Sequence, residues 1–291
     1  MRKVILHYHI YKNSGTSFDR VLAHNFGDRH ELFDGPYPFF GIDQDQVDRI
    51  VMRRPDAVAF SSHQISLPQP SSVEYHVLAA AFVRNPFLRI ASIHRFKRGE
   101  FPSGNPLRRM ASKIVSRQGE TFERGKDEGT VPASITTTAM AAHRMEFAEW
   151  IEHCLNDKGE IGNVSNAQTR FFAAAYRMRP QQKREPSGLL YDLPAALRTL
   201  TTVELLGRTE HFEADVRRMG DILAGHGIPF ELPSRTRHNV TLSSDATVDE
   251  QVAELLGGLP AELRLRLMEA NRQDLALYER ACELIEQDHR V

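Results

Sequence analysis

Between His7 and Leu22 the chain reads HYHIYKNSGTSFDRVL, and that stretch leaves few architectures open. An apolar, β-branched run from Lys3 to Tyr11 gives way to Asn-Ser-Gly-Thr-Ser, after which Phe18, Val21, Leu22 and Phe26 recur at helical spacing. The order is strand, tight turn, helix. Two further apolar runs of strand length, 56–62 and 75–83, are bounded by polar or proline-containing segments, as strands buried on both faces are. Pro86 suits a first helical turn, and Leu88, Ile90, Ala91 and Ile93 give the helix after it apolar surface. Helical patterns return at 137–155, 166–176 and 210–223, with a strand-like run at 201–207 between the last two. An extended segment rich in proline and arginine follows at 228–241, then a final helix over 267–287 with Leu275, Tyr278, Cys282 and Ile285 on one face. This alternation predicts an α/β, P-loop-type three-layer fold, a central parallel sheet flanked by helices. With 291 residues and no internal repeat, one domain over 1–291 accommodates it.

Composition narrows the setting. Cys154 and Cys282 are too few for a disulfide framework and form no CxxC pair, which points to reduced thiols and a cytoplasmic protein. The apolar run at the start is interrupted by His7 and His9 and has no small-residue cleavage site, so no signal peptide is expected. No apolar stretch has the ~20 residues of a transmembrane segment. The net charge of −1 hides an asymmetry: Arg84 to Lys126 holds eleven Lys/Arg against three Asp/Glu, an excess of eight positive charges. Such a segment calls for an anion nearby. Its part from 99 to 132 has little apolar periodicity and reads as a mobile basic insertion, a candidate lid.

A strand-to-helix turn offers free backbone N–H groups and the positive end of a helix dipole, the ingredients of a phosphate site. Lys12 adds a point charge, Gly15 allows close backbone approach, and Thr16 and Ser17 supply hydroxyls. In a nucleoside triphosphatase the lysine follows the second glycine and a hydroxyl next to it holds magnesium. Here Lys12 comes first, which argues against ordinary ATP or GTP hydrolysis. By itself the turn fits both a plain glycine-containing connection and an anion site.

A second segment, FVRNPFLRIASIHRF, closes a buried strand with Arg84 and places Ser92 about two helical turns further on. Together HIYKNSGTSF and VRNPFLRIASIHRF resemble the two donor-binding segments of carbohydrate-type sulfotransferases, the family that includes heparan sulfate 2-O-sulfotransferase-like and bacterial sulfotransferases. NAQTRFF, LGRTEHFEADV, RHNVT and NRQDLALYERA are similar to later stretches of that family and occur in the same order. Tyr11 stands where the family usually has proline, and Ser14 where it has a first glycine. The resemblance implies transfer of a sulfuryl group from 3′-phosphoadenosine 5′-phosphosulfate (PAPS), leaving adenosine 3′,5′-bisphosphate. It also implies that Lys12, Asn13, Ser14, Gly15, Thr16 and Ser17 wrap the 5′-phosphosulfate, that Arg84 and Ser92 hold the 3′-phosphate, and that Arg237 lies near the nucleotide. Two anionic centres on one adenosine need two separate sites, and the sequence has both. Lys12 and the turn would stabilise charge growing on the departing phosphate.

For the proton of the acceptor hydroxyl, His63 is the best-placed base, at the end of the strand before it, where open α/β sheets bind ligands. The bland alternative is a histidine capping a strand end, and His94 and His9 are next in line as base. His7 and His9 lie on one strand face without an evident third ligand at zinc-site spacing, so packing rather than metal binding is expected. Arg170 sits in an apolar helix and should meet an anion, either the acceptor or a structural carboxylate such as Glu210. The basic insertion, with Arg108, Arg109, Lys113 and Arg117, is either a solvated face or a contact for an anionic carbohydrate or glycoconjugate acceptor. Two other classes compete. A small-molecule kinase would need a hydroxyl directly after a P-loop lysine and an acidic magnesium partner. A non-catalytic nucleotide-binding module has the basic segment in its favour, but Phe96, Phe101 and Phe122 are too scattered to stack nucleic-acid bases.

Overall fold

The computed structural model describes residues 1–35, 41–99, 141–173, 183–233 and 246–288. Arg237 and the insertion beyond Gly99 up to residue 132 lie outside the described residues, as does the extended segment after residue 233.

Five strands form one sheet with β1 (Arg2–Tyr8) at its centre. On one side lie β3 (Ala59–Ser62) and the edge strand β2 (His30–Leu32), on the other β4 (Tyr75–Val83) and β7 (Leu205–Arg208), and every pairing is parallel. A small antiparallel hairpin, β5 (Lys183–Glu185) and β6 (Gly188–Leu190), stands apart from it. The side-chain alternation of a strand builds both cores at once. Val4, Leu6 and Tyr8 of β1 with Val77, Ala79, Ala81 and Val83 of β4 face one helical layer, and Ile5 with Leu78, Ala80 and Phe82 face the other. The first layer contains α2 (Gln44–Arg53), α6 (Leu193–Leu200) and α10 (Arg272–Asp288); the second contains α1 (Gly15–Phe26) and α7 (Phe212–Gly225). A third cluster joins α3 (Pro86–Gly99), α4 (Phe147–Asn156), α8 (Val248–Gly257) and α9 (Ala261–Ala270) around Trp150, which is fully buried. This is the α/β three-layer fold read from the sequence.

Element by element, each of the four expected apolar runs holds a strand, and the 75–83 run is β4 over its whole length. Three helices differ. The pattern at 137–155 breaks at Glu146, whose side chain forms a capping box with Glu149 and starts α4 afresh. Of the helix expected over 166–176, residues 174–176 lie outside the described residues; the described part starts late, as α5 (Thr169–Phe172), because Asn166 adopts φ +43°, outside the helical region. The final helix is two helices: Asn271 turns its amide onto the carbonyls of Leu267 (2.9 Å) and Val164 (2.7 Å), ending α9 before α10 starts. On α10 the buried stripe is Leu277, Ala281 and Ile285, flanked by Leu275, Tyr278 and Cys282. No described helix is long and apolar enough to cross a membrane.

The topology fixes where a ligand goes. From β1 the chain runs out to β2, returns through β3, and crosses to β4 on the other flank, so the connections diverge at the carboxyl edge of β1. Open α/β sheets bind ligands in that crevice.

Candidate active site

Residues 9–14 leave β1 through two tight turns, closed by Ile10 N–H to the Tyr8 carbonyl (2.8 Å) and Asn13 N–H to that of Ile10 (3.1 Å). Lys12 and Ser14 have φ of +66° and +60°, the left-handed region, and Ser14 occupies it at the N-cap of α1 without capping through its side chain. The Ser17 N–H donates to the Ser14 carbonyl (2.9 Å), whereas the N–H groups of Gly15 and Thr16, first in α1, get no partner from the helix. Gly15 is required for a different reason: a Cβ there would lie 1.9 Å from Cδ2 of His9. Asn13 turns inward, its Nδ2 donating to the Phe82 carbonyl (2.8 Å) and to Oε1 of Gln168 (2.7 Å), so its amide nitrogen clamps the turn. Gln168 in turn pairs with both backbone groups of Arg84, at 2.9 and 2.8 Å. From behind, the buried Arg89 donates to the Tyr11 carbonyl (3.0 Å), and burial pulls its pKa down to about 10. The Lys12 ammonium rests 4.2 Å above the ring of Phe96, a cation–π contact on α3.

Arg84 follows β4 and Glu210 follows β7, and since these strands are neighbours the two side chains meet at the same edge. Nη1 of Arg84 donates to the Lys12 carbonyl (3.1 Å), and Nε lies 3.7 Å from Glu210, too far for a hydrogen bond. Among the described residues Nε of Arg84 and Oγ1 of Thr209 are buried without a hydrogen-bond partner. Unmatched polar donors beside the start of a helix are the chemistry a phosphate-bearing nucleotide would satisfy. Ser92, on α3, is buried at 2% exposure. Asn85 starts that helix, its Oδ1 accepting from the Phe87 N–H (3.1 Å).

On the other flank of β1, four histidines gather around two aspartates. Asp19, on α1, accepts from Nδ1 of both His7 and His9, each at 2.8 Å and each on its own oxygen. Burial raises the Asp19 pKa, but the two histidines outweigh it and hold the carboxyl well below the usual carboxylate range. The His9 ring lies against that of His63, tilted by 36° with centroids 3.6 Å apart, and His63 Nδ1 lies 3.0 Å from the His9 carbonyl. Because a carbonyl only accepts, Nδ1 carries the hydrogen and Nε2 keeps the lone pair, the tautomer a base needs. Asp34 accepts from the Ser62 hydroxyl (2.7 Å) and the His63 N–H (3.0 Å), fixing the end of β3. Desolvation within the cluster, then the neighbouring His9, lower the pKa of His63. His30 Nε2 meets Ser61 Oγ at 2.9 Å, and burial brings its pKa down to about 4.

The structure thus brings Lys12, Gly15, Thr16, Ser17, Arg84 and His63 to one edge of the sheet. His94 does not join them: its Nε2 is bonded to the Met145 carbonyl (3.1 Å) and its ring packs on Phe147 and Trp150, a satisfied core histidine. Arg170 is exposed, and the carboxylate of Glu210 pairs with Arg84 and Tyr278 instead. The third partner absent from the His7/His9 spacing is Asp19, ten residues past His9, whose oxygen lies with their nitrogens within 4.8 Å of one another. Sequence reading also passed over Gln168, Asp274 and Arg89, which clamp the turn; a buried arginine in an apolar helix was the available signal for the last.

Comparison with known proteins agrees with this arrangement. A family model described as "Sulfotransferase family" matches residues 1–279, which includes every strand and the turn. A protein of Archaeoglobus fulgidus named "Uncharacterized protein" is 25% identical over 288 residues, covering 97% of each chain. A lysine-first anion turn, an arginine on the next strand end and a match that runs through all of them place the chain in one family: it belongs to the sulfotransferases.

Proposed function

We propose that the protein moves a sulfuryl group from PAPS to a hydroxyl of a carbohydrate or glycoconjugate acceptor. The observation that carries this reading is the flanking of β1 by an anion site on one side and a histidine with its Nε2 lone pair available on the other. When bound, PAPS supplies an activated sulfuryl group and a phosphate leaving group. The turn at 12–17 holds the 5′ end through the N–H groups of α1, the hydroxyls of Thr16 and Ser17, and Lys12, which leaves Phe96 to do so. Arg84, whose Nε awaits a partner, takes the 3′-phosphate, with Ser92 and Arg237 assigned to the same nucleotide by resemblance. His63 accepts the acceptor hydroxyl's proton at Nε2, and the His9 carbonyl keeps the other nitrogen protonated throughout. Lys12 and the helix terminus stabilise the negative charge that gathers on the leaving phosphate.

The acceptor class rests on the resemblance to the carbohydrate-type branch and on the cationic stretch with Arg108, Arg109 and Lys113. The test is a transfer assay with labelled PAPS against a panel of neutral sugars, anionic glycan chains and small phenols. Transfer to anionic glycans that falls steeply with salt is the expected result, since the Debye length contracts from ~30 Å to ~8 Å over the usual range. Preference for neutral phenols overturns the acceptor assignment.

A further inference from the structure

Two ion pairs stand at neighbouring strand ends and are built differently. Arg208 meets Asp215 in a two-pronged pair, Nε to Oδ2 at 3.0 Å and Nη2 to Oδ1 at 2.9 Å. Arg84 and Glu210 are just as enclosed, with side chains 12% and 8% exposed, yet their closest approach is 3.7 Å. Glu210 is otherwise held by neutral donors, the Asn85 N–H at 3.1 Å and, more loosely, the Tyr278 hydroxyl at 3.3 Å. A buried carboxylate and a buried guanidinium whose Nε has no hydrogen-bond partner face each other without a direct hydrogen bond, across the place where the nucleotide reading puts a phosphate. A fixed structural pair is poorly served by such geometry, because a buried ion pair repays its desolvation only when the geometry is tight.

We propose that Glu210 is a place-holding counter-ion: the nucleotide's phosphate takes over Arg84, and Glu210, left facing an anion, binds a proton from solvent that it returns when the nucleotide leaves. This rests on the donor reading above. The groups that face Glu210 are Arg84 from β4, Tyr278 and Cys282 from α10, and the Asn85 backbone; Arg95 of α3 acts on Arg84. Of these only Arg84 is a cation next to the carboxylate; once a phosphate neutralises it, Glu210 keeps only neutral donors, the backbone N–H groups and the Tyr278 hydroxyl, against the cost of burial. Burial already raises the pKa of Glu210 with Arg84 still beside it. The consequence is a donor affinity that increases as pH falls, by linkage between nucleotide and proton.

The test is titration calorimetry of the full chain with metal-free adenosine 3′,5′-bisphosphate at pH 7, in two buffers of different ionisation enthalpy. The wild type should take up roughly half to one proton per nucleotide. Phosphate monoesters, with a second pKa near 6, contribute only release, so net uptake has to come from the protein. Glu210→Gln should abolish the uptake, flatten the dependence of Kd on pH from 6 to 8, and bind about threefold to tenfold more tightly at pH 8. If that variant does not fold, infrared difference spectra of the wild type give the same answer, through a protonated-carboxyl band that appears on nucleotide addition. Binding with no net uptake and no such band, or uptake that persists in Glu210→Gln, overturns the proposal and leaves the donor reading standing. No heat and no thermal shift with the nucleotide overturns both.

Discussion

Ser14 and Gly15 are adjacent and look interchangeable, but they answer to opposite constraints. Ser14 holds φ +60°, a conformation glycine adopts more cheaply, so Ser14→Gly should leave stability unchanged or higher by up to ~1 kcal/mol. Gly15 faces the ring of His9, which is boxed in by Asp19 and His63, so Gly15→Ala should cost about 1–3 kcal/mol in urea unfolding and weaken nucleotide binding. Lys12 and His63 separate binding from chemistry. Lys12→Ala should weaken donor binding and turnover together, whereas His63→Ala should lower turnover ~10² to 10⁴-fold with donor affinity kept. Near-normal turnover of His63→Ala would move the base to another group, and His9 is the neighbour that remains, since His94 is spent on the Met145 carbonyl. At this scale the sequence was informative about residues that carry charge on a loop and silent about those that orient them. Arg84 and His63 were expected at the sheet edge because each directly follows an apolar strand, and Lys12 because it lies in the turn after one; the roles proposed for them lean on the family resemblance. Asp19 and Glu210 were not legible, since what matters in each is a partner brought up by the fold from a distant part of the chain.

Among the elements, the short α5 and the start of α10 interlock. Asp274 accepts from the N–H groups of Gln168 (3.0 Å) and Thr169 (2.7 Å) and from the Thr169 hydroxyl (2.7 Å), while Asn166 accepts from the N–H groups of Gln273 and Asp274, each at 3.1 Å. Through Gln168 this junction holds both Asn13 in the turn and Arg84 on β4, so a helix terminus far along the chain positions both halves of the anion site. Asp274→Ala strands three buried donors and should cost about 3 kcal/mol, read as a lower urea midpoint, with loss of nucleotide affinity at temperatures where the chain is still folded. An unchanged affinity in the folded variant would show that the junction is structural only. Strands and their faces were readable because burial on both sides leaves an uninterrupted apolar run such as 75–83. The helix breaks at Asn166 and Asn271 were not, because each asparagine trades its place in a local helix for hydrogen bonds to the other segment, and periodicity reports nothing about such partners.

Taken whole, the molecule carries several histidines whose neutral form the fold favours. His9, His30 and His63 all have pKa values lowered by burial, His30 to about 4, against an ordinary value of 6.5. Between those values the unfolded chain binds more protons than the folded one, so stability falls as pH drops from about 6.5 toward 4. His30 alone should account for on the order of 2 kcal/mol of that loss, and His30→Gln should flatten the urea midpoint between pH 7 and 5. Asp19, held below the ordinary carboxylate range, adds to the loss only at more acid pH. The central claim is that the carboxyl edge of the sheet binds a nucleotide by two separate anion sites, the turn at Lys12 and the strand end at Arg84. Its most direct test is a metal-free titration with adenosine 3′,5′-bisphosphate and, in parallel, with 5′-AMP, on the wild type and Arg84→Ala. The account predicts that the bisphosphate binds without metal and loses roughly tenfold or more in affinity in Arg84→Ala, while 5′-AMP loses little. Equal losses for the two nucleotides, or stabilisation by ATP with magnesium and none by the bisphosphate, would contradict it.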